Sequence, residues 1–147
     1  MYKLKTILIV MLSISMLLIF SSTVRAAETT YSSNSTLNGI TVNWSYELNE
    51  ANEIINLKCT NLEEVTGDIT IPATLDGYTV ISLGDQAFKS ATNLTGITIP
   101  SNIKTIEAEA FINCTELTEV DLGSVEAIAG GAFAGCTALE SIIIPKL

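Results

Sequence analysis

The feature that most constrains this chain is a repeat that advances by 23 and then 22 residues. Phe88, Phe111 and Phe133 are separated by these steps, and neighbouring alanine, leucine and isoleucine columns keep the same spacing. A coil of about 23 residues cannot bury its inner face alone, so each coil must stack on a neighbour. The repeat therefore predicts a mainly β solenoid of stacked coils rather than an ordinary globular domain.

Each repeat predicts one short strand that ends at a turn. In residues 96–100, Ile97 and Ile99 alternate with small or polar neighbours, and Pro100 then ends the strand. Gly123 stands at the position of Pro100 in the next repeat, and the one-residue shortfall lies in this turn. The apolar columns thus stay in register, and the strands are expected to pair in parallel.

The pattern of residues 106–122, Ile-x-x-x-Ala-Phe-x-x-Cys-Thr-x-Leu-x-x-Val-x-Leu, resembles the leucine-rich repeat of the BspA type. Residues 97–100 and 142–145 carry the usual Ile-x-Ile-Pro ending, whereas residues 120–123 vary it and Ala91 replaces the cysteine. The resemblance covers residues 44–147. It implies leucine-rich-repeat coils and a secreted or cell-surface protein that adheres to host matrix, other cells or glycans.

The amino terminus has the order of a secretory signal peptide. Lys3 and Lys5 precede an apolar run at residues 7–20, and a small-residue site ends at Ala26. The run has fourteen residues, whereas a spanning helix needs roughly 17–25. The sequence predicts a signal peptide at 1–26, an extracellular location and no membrane span after cleavage.

The remaining chain divides into three predicted parts. Residues 27–39 are rich in Ser, Thr and Asn and predict a flexible lead-in. Within residues 40–66, two alternating segments predict a β-hairpin that caps the first coil. Residues 67–147 form the predicted solenoid, with units at about 67–82, 83–105, 106–127 and 128–147.

Composition excludes several kinds of chemistry. The chain has no histidine, which removes serine–histidine and cysteine–histidine nucleophiles and histidine-ligated metals. A glycosidase-like carboxylate pair stays open, but the acidic side chains fall at solvent-facing repeat positions, namely Glu107, Glu109, Glu116, Glu119 and Asp121. We expect no catalytic residue, cofactor or metal site.

The net charge of the chain limits the classes of partner that we expect. Loss of the leader leaves four basic residues against sixteen acidic ones, a net charge of −12. Nucleic acids and anionic membranes require a basic patch, so neither is an expected partner.

The three cysteines form no complete disulfide framework. Cys114 and Cys136 share one repeat column, which places them about 5 Å apart in neighbouring coils. A disulfide would fit this spacing. Buried thiols that act as small apolar side chains are the favoured interpretation, because Ala91 fills the same column one coil earlier. Cys59 is expected to point into the cap.

The candidate binding surface is the row of strand residues that point outward, since solenoids recognise partners through such faces. The expected partner is an extracellular protein or glycan; the alternative is a structural spacer or a truncated fragment of a longer surface protein without a ligand. The predicted face consists of Thr70, Gly96, Thr98, Glu119, Asp121, Ser141 and Ile143.

The sequence stops directly after the strand of its last repeat, without a polar cap. An uncapped coil exposes apolar side chains and a strand edge. This arrangement predicts either self-association through the last coil or truncation of a longer relative.

Overall fold

The structure, a computed structural model, describes residues 29–143 and forms a β-solenoid of about four turns with almost no helix. The predicted signal peptide lies outside the described residues. A single short 3-10 turn, Leu62–Glu64, stands among the described strands. The strands are β1 (Tyr31–Leu37), β2 (Ile40–Leu48), β3 (Ile54–Cys59), β4 (Gly67–Thr70), β5 (Thr74–Leu75), β6 (Tyr78–Thr79), β7 (Ser82–Leu83), β8 (Leu94–Thr98), β9 (Thr105–Ile106), β10 (Glu119–Asp121), β11 (Ala127–Ile128) and β12 (Ser141–Ile143).

Two sheets run along the solenoid. One has the order β1-β2-β3-β7-β9-β11 and the other has the order β12-β10-β8-β4. Every strand pair between successive coils is parallel. The predicted fold of stacked coils with parallel strands is confirmed, because each coil contributes one strand to each sheet.

A file of aromatic rings forms the axis of the core. The ring centroids of Phe88 and Phe111 are 5.3 Å apart, and those of Phe111 and Phe133 are 5.2 Å apart with an interplanar angle of 1°. Trp44 of the cap meets Phe88 edge-on at 6.0 Å. These rings keep a single axis because the repeat spacing returns each phenylalanine to the same place in its coil.

The shortened turn of the third predicted unit requires a glycine. Gly123 has a φ of +55°, and a Cβ at this position would lie 2.1 Å from the Ile99 carbonyl oxygen. Its N–H donates to Asp121 Oδ1 at 2.9 Å. The turn therefore absorbs the missing residue by a left-handed backbone and close approach to the preceding coil, which no proline could reproduce.

The cap differs from the sequence prediction. Residues 27–39 are not a flexible lead-in over their described part, because Tyr31–Leu37 forms β1, antiparallel to β2. The two strands meet at Asn38 and Gly39, whose φ values of 50° and 83° fit a two-residue hairpin turn. The pairing of β2 with β3 is present, with a bulge between Ser45 and Glu47. The cap is thus a three-stranded antiparallel sheet rather than a hairpin.

The cap closes the first end of both sheets. Strand β3 pairs in parallel with β7, which continues the longer sheet into the coils. Asn38 Nδ2 donates to the backbone carbonyl of Asp68 in β4 at 2.8 Å. Asp76 accepts hydrogen bonds from Ser33 Oγ at 2.9 Å and from the Tyr46 hydroxyl at 2.8 Å. Buried side chains are therefore covered at this end.

The last described coil exposes more apolar surface than the earlier coils. Ile128 and Ile142 are 45% and 41% exposed, whereas their counterparts in earlier coils, among them Ile106 and Val120, are buried. Ile143 stands in an outward row and is 47% exposed. Phe133 is only half-buried, since no further ring lies on its outer face within the described residues. Self-association through this coil stays a prediction.

Candidate functional site

The predicted binding residues all lie in two parallel rows across the shorter sheet. The rows arise because β4, β8, β10 and β12 pair in register, so that equivalent side chains stand side by side. The intervening residues, such as Ile69 and Ile97, point into the core and are 2% and 3% exposed. We call the outward set the strand face. One row contains Asp68, Gly96, Glu119 and Ser141, and the other contains Thr70, Thr98, Asp121 and Ile143.

One predicted member of the strand face is not exposed. Gly96 is buried, and the Asp68 carboxylate covers it: Asp68 Oδ1 lies 2.6 Å from the place a Cβ on Gly96 would take. Thr95 Oγ1 donates to the same Oδ1 at 2.6 Å and fixes the carboxylate there. The expectation that Gly96 is an exposed position of the face is therefore wrong; its missing side chain makes room for Asp68.

Asp68 is a member of the face that the sequence prediction omitted. The β4–β8 register shifts between Gly67 and Asp68, which pair with Leu94 and Gly96 respectively. The shift lies before Asp68, so residues 68–70 pair regularly with residues 96–98. The Ile-x-Ile-Pro ending at residues 69–72 matches that at residues 97–100 and is the signal that could have aligned Asp68 with Gly96 and Glu119.

A shallow notch lies on the face where Gly96 has no side chain. It has a volume of about 160 Å³ and is lined by Asp68, Gly96, Ile97, Thr98, Thr118 and Glu119. Enclosed sites for small molecules typically measure about 300–1,000 Å³. The notch therefore has room for one side chain or the edge of one sugar ring, but not for a whole small-molecule substrate.

The strand face carries negative charge. Asp68, Glu119 and Asp121 contribute three carboxylates, and the face has no basic residue. The basic residues of the described chain lie elsewhere: Lys58 in β3, Lys89 in a turn, and Lys104, which pairs with Glu126 at 3.2 Å. The carboxylates and the Thr98 hydroxyl thus offer mainly hydrogen-bond acceptors to a partner.

The cysteines are placed for packing rather than reaction. Cys114 Sγ donates to the Phe88 carbonyl at 3.0 Å, and Cys136 Sγ donates to the Phe111 carbonyl at 3.1 Å. Burial raises the pKa of Cys114 to about 12 and that of Cys59 to about 11. All three thiols are free. They stay protonated at neutral pH, and a protonated thiol is neither a nucleophile nor a metal ligand.

The described residues hold neither a metal-binding cluster nor a membrane-spanning helix. Between residues 29 and 143, acidic and cysteine side chains nowhere gather in the groups of three or more that would hold a metal ion. Over the same part of the chain, no helix has the length and apolar character needed to cross a membrane.

Comparison with known protein families identifies the repeat. The family model for the BspA type leucine rich repeat region matches residues 58–147 of this chain in 6 copies. A comparison with curated proteins finds no match.

Two crystal structures resemble the chain at 29% identity and a TM-score of 0.55. One is a leucine rich cell surface protein from Faecalibacterium prausnitzii A2-165, and the match covers 68% of this chain. The other is a leucine-rich repeat protein from Bacteroides ovatus ATCC 8483, and the match covers 69% of this chain. In each case the match spans 28% of the other protein.

Proposed function

Because the chain belongs to the BspA-type leucine-rich-repeat family, we propose that it is a secreted or cell-surface recognition module that binds an extracellular protein or glycan through the strand face. The similarity to a leucine rich cell surface protein supports the location. The predicted signal peptide supports it independently, since export is what such a leader directs.

The observation that carries the proposal is the in-register exposure of polar side chains on the shorter sheet. Thr70, Thr98, Glu119 and Ser141 are exposed and stand in rows set by strand pairing. Rows in a sheet repeat about every 4.8 Å. Such a rigid surface presents acceptors at fixed intervals without any entropy cost for ordering a loop, which favours recognition of an extended partner.

The charge of the face defines the chemistry of the partner. Three carboxylates, with no basic residue among the described residues of the face, attract lysine or arginine side chains of a protein, and they also accept hydrogen bonds from sugar hydroxyls. The notch beside Gly96 adds a place for one such group. The proposed role is non-catalytic for two reasons. The notch is too small to enclose a substrate, and the thiols are protonated at neutral pH.

The test is a charge reversal on the face. Combined Thr98→Lys, Glu119→Lys and Asp121→Lys should abolish binding to immobilised extracellular matrix proteins or cell-wall glycans, measured by surface plasmon resonance. The matched control combines Ser101→Lys, Glu50→Lys and Glu126→Lys, which are exposed positions off the face that give the same total change in charge.

The control should bind like the unaltered protein, and both variants should keep the circular dichroism spectrum of the native fold. Equal loss in both variants would mean that overall charge, rather than the face, governs binding. If the unaltered protein binds none of these fractions, the alternative of a structural spacer is preferred. A screen for glycan hydrolysis checks the non-catalytic role, and turnover would contradict it.

A further inference from the structure

Strand β1 presents a long edge that nothing covers within the described residues. It is the outermost strand of its sheet and has seven residues, all paired to β2 on one side. The other edges are shorter or covered: β11 has two residues, β12 has three, and Asn38 hydrogen-bonds to β4. The open backbone groups of β1 are therefore the largest unsatisfied strand edge of the described chain.

The edge lacks the features by which proteins block association. Strand β1 contains no charged residue and no proline. Its pairing with β2 runs from Tyr31 to Leu37 without a bulge. Charges, prolines, bulges and short length are the usual protections of an edge strand, and a long regular edge without them invites another strand.

We propose that two copies of this protein pair through β1 in an antiparallel manner about a twofold axis at Asn34. The two cap sheets then form one continuous sheet across the axis. In this register Tyr31 of one copy lies opposite the partner's Leu37, and the reverse pair forms at the other end of the strand. The contact is the same surface on both copies, as a closed twofold dimer requires.

The side chains of β1 favour this register. Tyr31 and Leu37 stand at opposite ends of the strand and on the same face, since they are six positions apart and side chains alternate along a strand. Tyr31 is 41% exposed although its ring stacks on Tyr46 at 5.5 Å. In a dimer centred on Asn34, Tyr31 of each copy is covered by the partner's Leu37, so the same apolar pair forms at both ends of the contact. A slip by one residue would place Tyr31 opposite Thr36 in one direction and opposite Asn38 of the turn in the other.

The charge distribution favours a second copy as the occupant. Each molecule is acidic overall, with a formal net charge of −9 for the full chain, so two copies repel wherever carboxylates meet. At the cap, β1 is neutral and the outer face of β2 offers Thr41, Asn43 and Ser45. The Asp76 carboxylate is hydrogen-bonded to Ser33 beside the strand, but β1 itself carries no charge, and a contact through it keeps both strand faces free.

The experiment measures the molar mass of the protein, purified after export, by size-exclusion chromatography with light scattering from micromolar to millimolar concentration. A contact of this small size forms a weak complex, so the mass should rise toward twice that of the monomer. Combined Ser32→Lys and Thr36→Lys places lysines opposite each other across the axis and should leave the protein monomeric throughout.

A charge swap tests the register itself. Combined Ser32→Glu and Thr36→Lys places opposite charges across the axis and should restore the rise in mass. Thr41→Lys with Asn43→Lys adds two lysines to the same outer face on β2, one strand away from the edge, and should leave the dimer intact. None of these four side chains supports the core, so each variant should fold.

Three results would overturn the proposal. They are a monomeric unaltered protein at millimolar concentration, a dimer that survives both lysines in β1, and a swap variant that stays monomeric. A dimer that Ile142→Lys disrupts while the lysines in β1 do not would also overturn it, because the contact would then lie at the exposed last coil.

Discussion

Single residues in the turns set the spacing between coils. Gly123 permits the shortened turn, because any side chain there would strike the Ile99 carbonyl oxygen. Cys114 fills its column as a buried hydrogen-bond donor to Phe88 of the preceding coil. Both positions tie one coil to its neighbour by backbone contacts, so local substitutions are expected to weaken the stack rather than alter the strand face.

We predict that Gly123→Ala lowers the free energy of unfolding by about 1–3 kcal/mol, the usual cost of a strained backbone. The added methyl group would meet backbone atoms of Ile99 at a φ of +55°. Urea denaturation followed by circular dichroism measures the change. Gly130→Ala is the matched control, since nothing lies within 4 Å of the added carbon and its φ is ordinary; an equal loss there would refute the argument.

The Cys114 thiol also makes stability depend on pH. Its pKa is about 12 in the folded protein against an ordinary value of 9.0, because burial disfavours the thiolate. The unfolded chain therefore loses this proton first, and the free energy of unfolding should fall as pH rises from about 9 to about 12. Denaturant titrations at several pH values measure this slope. Cys114→Ala should make it shallower, and an unchanged slope would exclude the contribution.

At the scale of elements, the stacked rings of Phe88, Phe111 and Phe133 stabilise the coils. A ring contributes more when it is more deeply buried. Phe111 lies between two parallel rings and is fully buried, whereas Phe133 has a ring on one side only within the described residues. The rings lie more than 5 Å apart between centroids, in the range where aromatic pairs add to area burial.

We predict that Phe111→Ala costs about 3–5 kcal/mol, as for other buried phenylalanines. Phe133→Ala should cost clearly less, because its ring is already half-exposed and its loss opens no enclosed cavity. Thermal and urea unfolding of the two variants give the comparison. Equal costs would show that the last described coil is covered in solution.

The sequence alone predicts the coils, but it does not predict the three-stranded cap or every residue of the strand face. Spacing of Phe88, Phe111 and Phe133 determines the stack because every coil repeats the same contacts. Strand β1 was missed because its polar composition resembles a linker, although Asn38-Gly39 is a hairpin signal. Asp68 was left out of the predicted face, although the Ile-x-Ile-Pro ending that residues 69–72 share with residues 97–100 aligns it with Gly96. The partner cannot be read from the residues, since an exposed acidic face fits many ligands.

At the scale of the whole molecule, the two ends of the described solenoid differ. The cap closes the first end with Trp44 on Phe88 and with hydrogen bonds to Asp76. The last described coil exposes Ile128, Ile142 and Ile143. Because a coil contacts only its neighbours, stability in a solenoid is a sum of such local interfaces. Unfolding should therefore start at the open coil and progress toward the cap.

Hydrogen exchange of individual amides tests this polarity. The Phe88 N–H, which donates to Ala110 at 2.7 Å, lies between coils that are covered on both sides. The Leu122 N–H donates to Ile143 at 3.1 Å, in the last described coil. We expect Leu122 to exchange much faster, because local opening of the last coil exposes it while Phe88 needs nearly global unfolding. Equal protection of the two amides, measured by nuclear magnetic resonance in native buffer, would mean that the solenoid unfolds as one unit and that its open end is stabilised by a contact such as self-association.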